Sequence, residues 1–97
     1  MASEIYKTNE KMRFSLHQLS SKYNNQLYTD STNKTLKEPS HYIDAFNDEV
    51  KNANLISQLD KYKEDKMYKY YCDSFNGMIK HYIKGIKDMI KYYNKNK

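Results

Sequence analysis

The stretch that decides the fold is "KHYIKGIKDMIKYYNKNK", residues 80–97. Its apolar side chains, together with those just before it, recur every three or four positions: Phe75, Ile79, Tyr82, Ile86, Ile90 and Tyr93, flanked by Met78, Ile83 and Met89. Lysines recur at the same interval on the other side: Lys80, Lys84, Lys87, Lys91 and Lys95. Both stripes follow the repeat of an α-helix. The sequence therefore predicts an amphipathic helix over residues 78–94.

A narrower apolar stripe runs through the first third of the chain. Its members return at helical spacing: Ile5, Met12, Leu16, Leu19, Tyr23 and Leu27. Ser3 is a suitable N-cap, and Glu4 places a negative charge in the first turn, where the helix dipole favours it. We predict a helix over residues 4–28. A stripe this narrow suits packing against only one or two helices, so we expect it to lie in an interface between copies of the chain.

The middle of the chain contains a loop and a shift in helical phase. Residues 29–40, "TDSTNKTLKEPS", are polar and include the only proline, which predicts a connecting loop, with a binding loop as the alternative. Ser40 then caps a helix over 41–53. Beyond it the apolar residues change direction, which predicts a break near Asn52–Asn54.

Residues 55–94 continue with helical composition. They are predicted to form one long helix or two, with a second break at Asn76-Gly77 as the alternative, because glycine readily ends a helix. Gly85 lies at the edge of the apolar stripe, where we expect it to permit close approach of a neighbouring helix. No segment alternates with period two. The predicted fold is an all-α bundle of three or four helices with a long amphipathic C-terminal helix, forming one domain over residues 1–97.

The apolar content is low for a folded chain. Six Leu, seven Ile, one Val and three Phe make 17 of 97 residues, below the roughly 20% that warns of disorder. Eleven Tyr and five Met supply part of the missing apolar area. The core is still small for the chain length, so we expect a homodimer or larger assembly in which another chain covers an apolar stripe.

Positive charge is concentrated in the C-terminal part. Residues 1–60 carry seven Lys and Arg against eight Asp and Glu, a net of −1, whereas residues 61–97 carry ten against four, a net of +6. Long-range attraction to an anion would orient the molecule with that end toward the anion. An AT-rich genome offers another explanation, because the codons of Lys, Asn, Ile and Tyr are rich in A and T. Net charge alone therefore does not indicate nucleic-acid binding.

Several classes of function lack a sequence signal. His17, His41 and His81 are scattered, Cys72 is the only cysteine, and two glycines do not build a phosphate-binding loop. We therefore expect no enzymatic activity, metal site, cofactor or small-molecule substrate. The first residues lack the apolar run of a secretory signal, and nowhere do 18 apolar residues occur together. We expect a cytoplasmic protein without a membrane partner.

Two functional hypotheses remain. The first is a non-enzymatic protein-interaction module or inhibitor, of the kind that phages and other mobile elements encode. Its candidate interface residues are Ile5, Met12, Leu16, Leu19, Tyr23, Tyr68, Tyr71, Tyr92 and Tyr93. The alternative is a nucleic-acid-binding accessory protein. Its candidate anion-binding residues are Lys80, Lys84, Lys87, Lys91 and Lys95. Arg13 is the only arginine, so such binding would have little sequence specificity.

Overall fold

The computed structural model describes residues 3–96. They form three α-helices, α1 (Glu4–Thr32), α2 (Pro39–Asn52) and α3 (Tyr68–Lys95), and a short 3₁₀ helix, Ile56–Tyr62, between α2 and α3. No strand occurs among these residues. The predicted all-α bundle with a long amphipathic C-terminal helix is confirmed.

The first helix begins where the sequence predicts and ends one turn later. The backbone N–H of Tyr6 donates to Oγ of Ser3 at 3.3 Å, so Ser3 is the N-cap. The helix continues to Thr32. The connecting loop is therefore shorter than the predicted 29–40 and spans residues 33–38.

The second helix begins at the proline and not after it. Glu38 is the N-cap, with extended backbone angles φ −61° and ψ 149°, and Pro39 is the first helical residue. The prediction of Ser40 as the cap is wrong, because proline lacks an N–H and its fixed φ suits the first turn. Proline also disfavours helical angles in the residue before it. The predicted range 41–53 becomes Pro39–Asn52.

Two tyrosine–carboxylate pairs join α1 to α2. The Tyr23 hydroxyl donates to Oε1 of Glu49 and the Tyr42 hydroxyl donates to Oδ2 of Asp30, each at 2.5 Å. Burial and these acidic neighbours raise the pKa of both tyrosines. Hydrogen bonds from Lys22 and Tyr23 lower the pKa of Glu49, and the bond from Tyr42 lowers that of Asp30. The pairs occur in opposite order on the two helices, so α2 runs antiparallel to α1.

The first break in the chain agrees with the change in helical phase. The α2 helix ends at Asn52, inside the region where the sequence predicts a break. Asn54 then adopts φ 51°, a left-handed conformation that asparagine tolerates better than most residues. The redirected chain buries Leu55 and Leu59, which are 6% and 0% exposed.

The second break lies at residues 63–67, not at Asn76-Gly77. The prediction of helix over 55–94 is wrong in this part, because the 3₁₀ helix ends before this turn and α3 begins after it. Asn76 and Gly77 lie inside α3 and are exposed. Glycine there costs about 1 kcal/mol of helix propensity, and the buried residues on either side of it in the sequence outweigh that cost.

Hydrogen bonds fix the turn that the sequence did not indicate. The Tyr62 hydroxyl lies 3.1 Å from Oγ1 of Thr8, so the end of the 3₁₀ helix is held beside the first turns of α1. The Asp65 carboxylate accepts from the backbone N–H of Met67 at 2.8 Å. The chain reverses at this point, and α3 starts near the N-terminal end of α1.

The helices form an elongated bundle of 50 × 21 × 19 Å. The Tyr82 hydroxyl lies 3.5 Å from Nδ1 of His17, near the middle of both long helices. Ser31 and Tyr93, near the ends of these helices, line the same cleft. Together these contacts show that α3 runs parallel to α1. The α2 helix and the 3₁₀ helix connect the two and run in the opposite direction.

The core lies along the bundle axis, enclosed by α1, by α3 and by α2 with the 3₁₀ helix. Its buried side chains are Ile5, Met12, Leu16, Tyr23, Leu27, Tyr42, Phe46, Leu55, Leu59, Phe75, Ile86 and Ile90. Two polar residues of α1, Asn9 and Ser20, are buried among them at 3% and 5% exposure. Oδ1 of Asn9 has no hydrogen-bond partner among the described residues.

Candidate protein-binding face

The predicted interface stripe of α1 is not available to another chain. Four of its members are buried by the chain's own helices: Ile5, Met12, Leu16 and Tyr23, at 0 to 7% exposure. Leu19 is half-buried and packs against the same core. The expectation that this stripe lies between copies of the chain is therefore wrong. Two helices and a 3₁₀ segment pack along α1, which is enough to cover a narrow stripe.

The predicted interface tyrosines of α3 divide into two groups. Tyr68, Tyr71 and Tyr93 are half-buried and pack against the core. Tyr92 is 64% exposed. The neighbours Tyr92 and Tyr93 thus have different surroundings, because adjacent residues of a helix point about 100° apart.

A different surface has the character of an interface, and it lies where α1 and α3 run side by side. The contact between His17 and Tyr82 marks the centre of this seam. Successive residues of a helix are rotated by about 100° around its axis. From this rotation we assign the side chains of each helix that lie on this side of the bundle. We call this surface the α1/α3 face. It comprises Tyr6, Phe14, His17 and Tyr28 from α1, and Tyr71, Met78, Tyr82, Gly85, Met89 and Tyr92 from α3.

On α3 the face has a seven-residue repeat. Tyr71, Met78, Gly85 and Tyr92 are spaced by seven positions, which keeps them on one slowly rotating line along the helix. Met89 and Tyr82 lie between this line and the core and are half-buried. This repeat is the sequence signal that could have revealed the face. The stronger core stripe, which lies next to it on the same helix, obscured it.

On α1 the face is formed by exposed aromatic rings. Tyr6, Phe14 and Tyr28 are 46%, 63% and 63% exposed. At about 100° per residue they lie within about 60° of His17 around the helix axis. Most large apolar residues of so small a chain are needed inside it. Three aromatic rings left on one side of α1 are therefore a distinctive feature.

The α1/α3 face is depleted of charge. The positions along its α3 side carry none: Tyr71, Ser74, Met78, Tyr82, Gly85, Met89, Tyr92 and Asn96. On the α1 side the charged residues are Glu10 and Arg13, whose side chains pair with each other at 3.3 Å. Charged residues make up 30% of the chain, so their absence from a long strip of surface is informative. Aromatic enrichment with charge depletion is the composition of protein interface centres.

Gly85 is a position without a side chain in the middle of the face. A Cβ atom added at this position would meet nothing within 4 Å, and the same is true of Gly77. The expectation that Gly85 permits close approach of a helix is therefore not met within the chain. Gly85 is nevertheless half-buried.

The lysine stripe lies on another side of α3, where Lys84, Lys87 and Lys91 line a cleft with Glu38 and Pro39 at the start of α2. All five of its members are exposed: Lys80, Lys84, Lys87, Lys91 and Lys95. Lys84 donates to Asp88 at 2.7 Å, and this contact lowers the pKa of the Asp88 carboxylate. Among the described ion pairs, Lys84 is the only member of the stripe that takes part. The stripe extends over about 22 Å of helix.

Side chains that commonly bind metals do not cluster in the described residues. No group of three or more His, Cys, Asp or Glu side chains comes together within residues 3–96. Cys72 is a half-buried free thiol. None of the helices in this part of the chain combines the length and the apolar content needed to cross a bilayer.

Comparisons with known proteins add no functional information. No family model, no curated protein sequence and no solved structure matches this chain.

Proposed function

We propose that this chain is a non-enzymatic protein-binding module that docks its partner on the α1/α3 face. The observation that carries the proposal is the joint presence of exposed aromatic rings and the absence of unpaired charge along this face. Tyrosine gives a large contact area with few rotatable bonds to restrict, which favours it at the centre of interfaces. The face is about 33 Å long between Tyr6 and Tyr28, long enough for an interface of standard size.

Two glycine substitutions test this proposal with a matched control. Gly85→Gln adds a long side chain to the middle of the α1/α3 face, whereas Gly77→Gln adds the same side chain to the same helix on another side. Neither new side chain meets an obstacle at its Cβ, and both substitutions favour the helix. We expect a partner captured from a nuclease-treated cell extract to be lost with Gly85→Gln and retained with Gly77→Gln. Equal capture by both variants would place the interface elsewhere.

A second candidate function rests on the lysine stripe. Its five exposed lysines, at one-turn spacing, are arranged to contact successive phosphates of a nucleic acid. If they do so, DNA affinity falls with salt at a log-log slope of about −0.9 for each phosphate neutralised on duplex DNA. Changing Lys84 and Lys87 to Gln should then flatten the slope while the circular dichroism spectrum stays unchanged. An unchanged slope, or no binding at physiological salt, would leave these lysines as a solvated surface.

A further inference from the structure

The 3₁₀ helix between α2 and α3 is held in the bundle by few side chains. We call residues 55–62 the strap. Leu55 and Leu59 are buried and Tyr62 is half-buried, whereas the other side chains of the strap are exposed. A 3₁₀ helix has poorer hydrogen-bond geometry than an α-helix and seldom exceeds three or four residues. This one has seven residues and no side-chain cap at its start.

The α2 helix, which lies on the same side of the bundle, is held more firmly. Its Tyr42 and Glu49 bond to α1 through the two tyrosine–carboxylate pairs, and Lys22 forms an ion pair with Glu49 at 2.7 Å. Within residues 3–96, no ion pair involves the strap. Its side-chain hydrogen bond to α1 joins the Tyr62 hydroxyl to Oγ1 of Thr8 at 3.1 Å. This bond and the two buried leucines anchor the strap.

Clefts run along both flanks of the strap. The cleft between the strap and α1 has a volume of about 450 Å³ and is lined by Thr8, Lys11, Ser57, Gln58, Asp60 and Lys61. A second cleft, of about 200 Å³, lies between the strap and α3, and its lining includes Ile56, Phe75 and Ile79. The strap is therefore not packed tightly along its edges, and it is fixed to the core mainly through its anchoring side chains.

Turns border the strap at both ends. Asn54, just before it, adopts φ 51°, and residues 63–67 reverse the chain just after it. Residues 54–67 can span about 48 Å when extended, whereas a 3₁₀ helix of seven residues is about 14 Å long. The strap can thus move away from the core while α2 and α3 keep their positions.

A buried polar atom lies at the level of the strap. Asn9 is 3% exposed, and its Oδ1 has no hydrogen-bond partner among the described residues. Thr8 and Lys11, on either side of it in the sequence, line the cleft with the strap. Asn9 therefore belongs to the part of the core that the strap covers. A buried oxygen without a partner destabilises the closed arrangement, and water restores its hydrogen bond once the strap moves away.

We propose that the strap opens as a unit while α1, α2 and α3 stay folded, and that Asn9 lowers the free energy that this opening requires. Opening removes Leu55 and Leu59 from the core, breaks the bond between Tyr62 and Thr8, and admits water to Oδ1 of Asn9. The strap is thus a conformational device built into the fold. Its opening does not involve the residues of the α1/α3 face, so it is independent of the proposed function.

Hydrogen exchange of the backbone amides, followed by NMR on the full chain, measures this opening. Conditions are chosen so that the exchange rate reports the opening equilibrium. We expect the amides of residues 59–62 to exchange about a hundredfold or more faster than those of Leu16 and Ile86 at the core centre. Low concentrations of urea should change the strap rates little and raise the core rates steeply, because opening a short segment exposes little surface.

Two tyrosine variants separate the opening of the strap from the unfolding of the chain. Tyr62→Phe removes the bond to Thr8 and should speed exchange of the strap amides about fivefold. Tyr42→Phe removes the same atom, but its bonds stay intact when the strap opens. It should therefore speed exchange at Leu16 and leave the strap amides unchanged. Asn9→Leu removes the oxygen without a partner and should slow the strap amides about tenfold.

Each of the other outcomes overturns part or all of the proposal. Strap amides as slow as that of Leu16, or accelerated equally by Tyr42→Phe and Tyr62→Phe, would show that the strap opens only with the whole chain. Fast strap amides that none of the three variants changes would reflect fraying of single hydrogen bonds. If Asn9→Leu slows exchange at Leu16 but not in the strap, Asn9 stays buried in the open state and its role is rejected. The tyrosine pair decides the opening even if leucine does not fit at position 9.

Discussion

Removing the hydroxyl of Tyr42 is the sharpest test of how this bundle is held together. The ring is 1% exposed, and Tyr42→Phe leaves it in place. The substitution removes the bond to Asp30 at 2.5 Å and the bond that the hydroxyl accepts from the backbone N–H of Lys37 at 3.1 Å. One residue of α2 thus holds both the last turn of α1 and the loop that follows it.

The cost of this change follows from the nature of the two bonds. A hydrogen bond to a charged group contributes about 1.5–3 kcal/mol and one between neutral groups about 1 kcal/mol. Asp30 is half-buried, so in the variant water supplies part of the hydrogen bonding that its carboxylate loses. We therefore expect the free energy of unfolding to fall by about 2 kcal/mol. In a domain of this size that lowers Tm by about 8–16 °C.

Urea unfolding followed by far-ultraviolet circular dichroism measures this effect. Tyr28→Phe is the matched control, because the same atom is removed from a ring that is 63% exposed, and it should change stability by less than about 0.5 kcal/mol. A double-mutant cycle with Asp30→Ala should give a coupling energy of about 1–2 kcal/mol. If Tyr42→Phe costs no more than Tyr28→Phe, or the coupling is zero, the proposed bridge does not hold α2 to α1.

The same interactions make stability depend on pH. The pKa values of Asp30 and Glu49 are lowered in the folded chain, so the folded state binds fewer protons at these sites than the unfolded state does. Their stabilisation is complete above the unfolded values, about 4, and is lost as pH falls through the lower folded values. We expect unfolding to become easier below about pH 4. The loss should be smaller in Tyr42→Phe, because Asp30 then lacks its main partner.

Three further predictions concern single positions. Gly77→Ala and Gly85→Ala should each raise the free energy of unfolding by about 0.5–1 kcal/mol, measured by urea unfolding, because neither new Cβ meets an obstacle. A lower stability at either site would contradict the open space seen there. Asn9→Leu should raise Tm, since it removes a buried oxygen without a partner; a fall in Tm would show that this oxygen is satisfied in solution. Leu16→Ala should lower the free energy of unfolding by about 2–5 kcal/mol, whereas Phe14→Ala should lower it by less than about 1 kcal/mol. The same unfolding assay measures both, and similar losses would contradict the burial of Leu16 and the exposure of Phe14.

The sequence by itself determined the helices that carry a strong period. The apolar stripes of α1 and α3 predict two long helices, and Ser3 predicts the start of the first. The change of phase after Val50 predicts the break that occurs at Asn52. These features were accessible because helix formation and one-sided burial depend on neighbours three and four positions away in the chain.

Only the tertiary structure decided where the chain turns for the second time and which surface remains open. Residues 61–67 contain no glycine or proline, so the sequence gives only a weak signal for a turn there, the Asp65 carboxylate that accepts from the backbone N–H of Met67. The reversal is imposed by packing and by the bond between Tyr62 and Thr8.

The stripe on α1 looked like an interface because its period does not reveal which helices cover it. The α1/α3 face combines residues about 65 positions apart in the chain, as the contact of His17 with Tyr82 shows. Local periodicity specifies the apolar side of each helix, but the arrangement of helices around one another depends on contacts between residues distant in sequence, and that arrangement determines the exposed face.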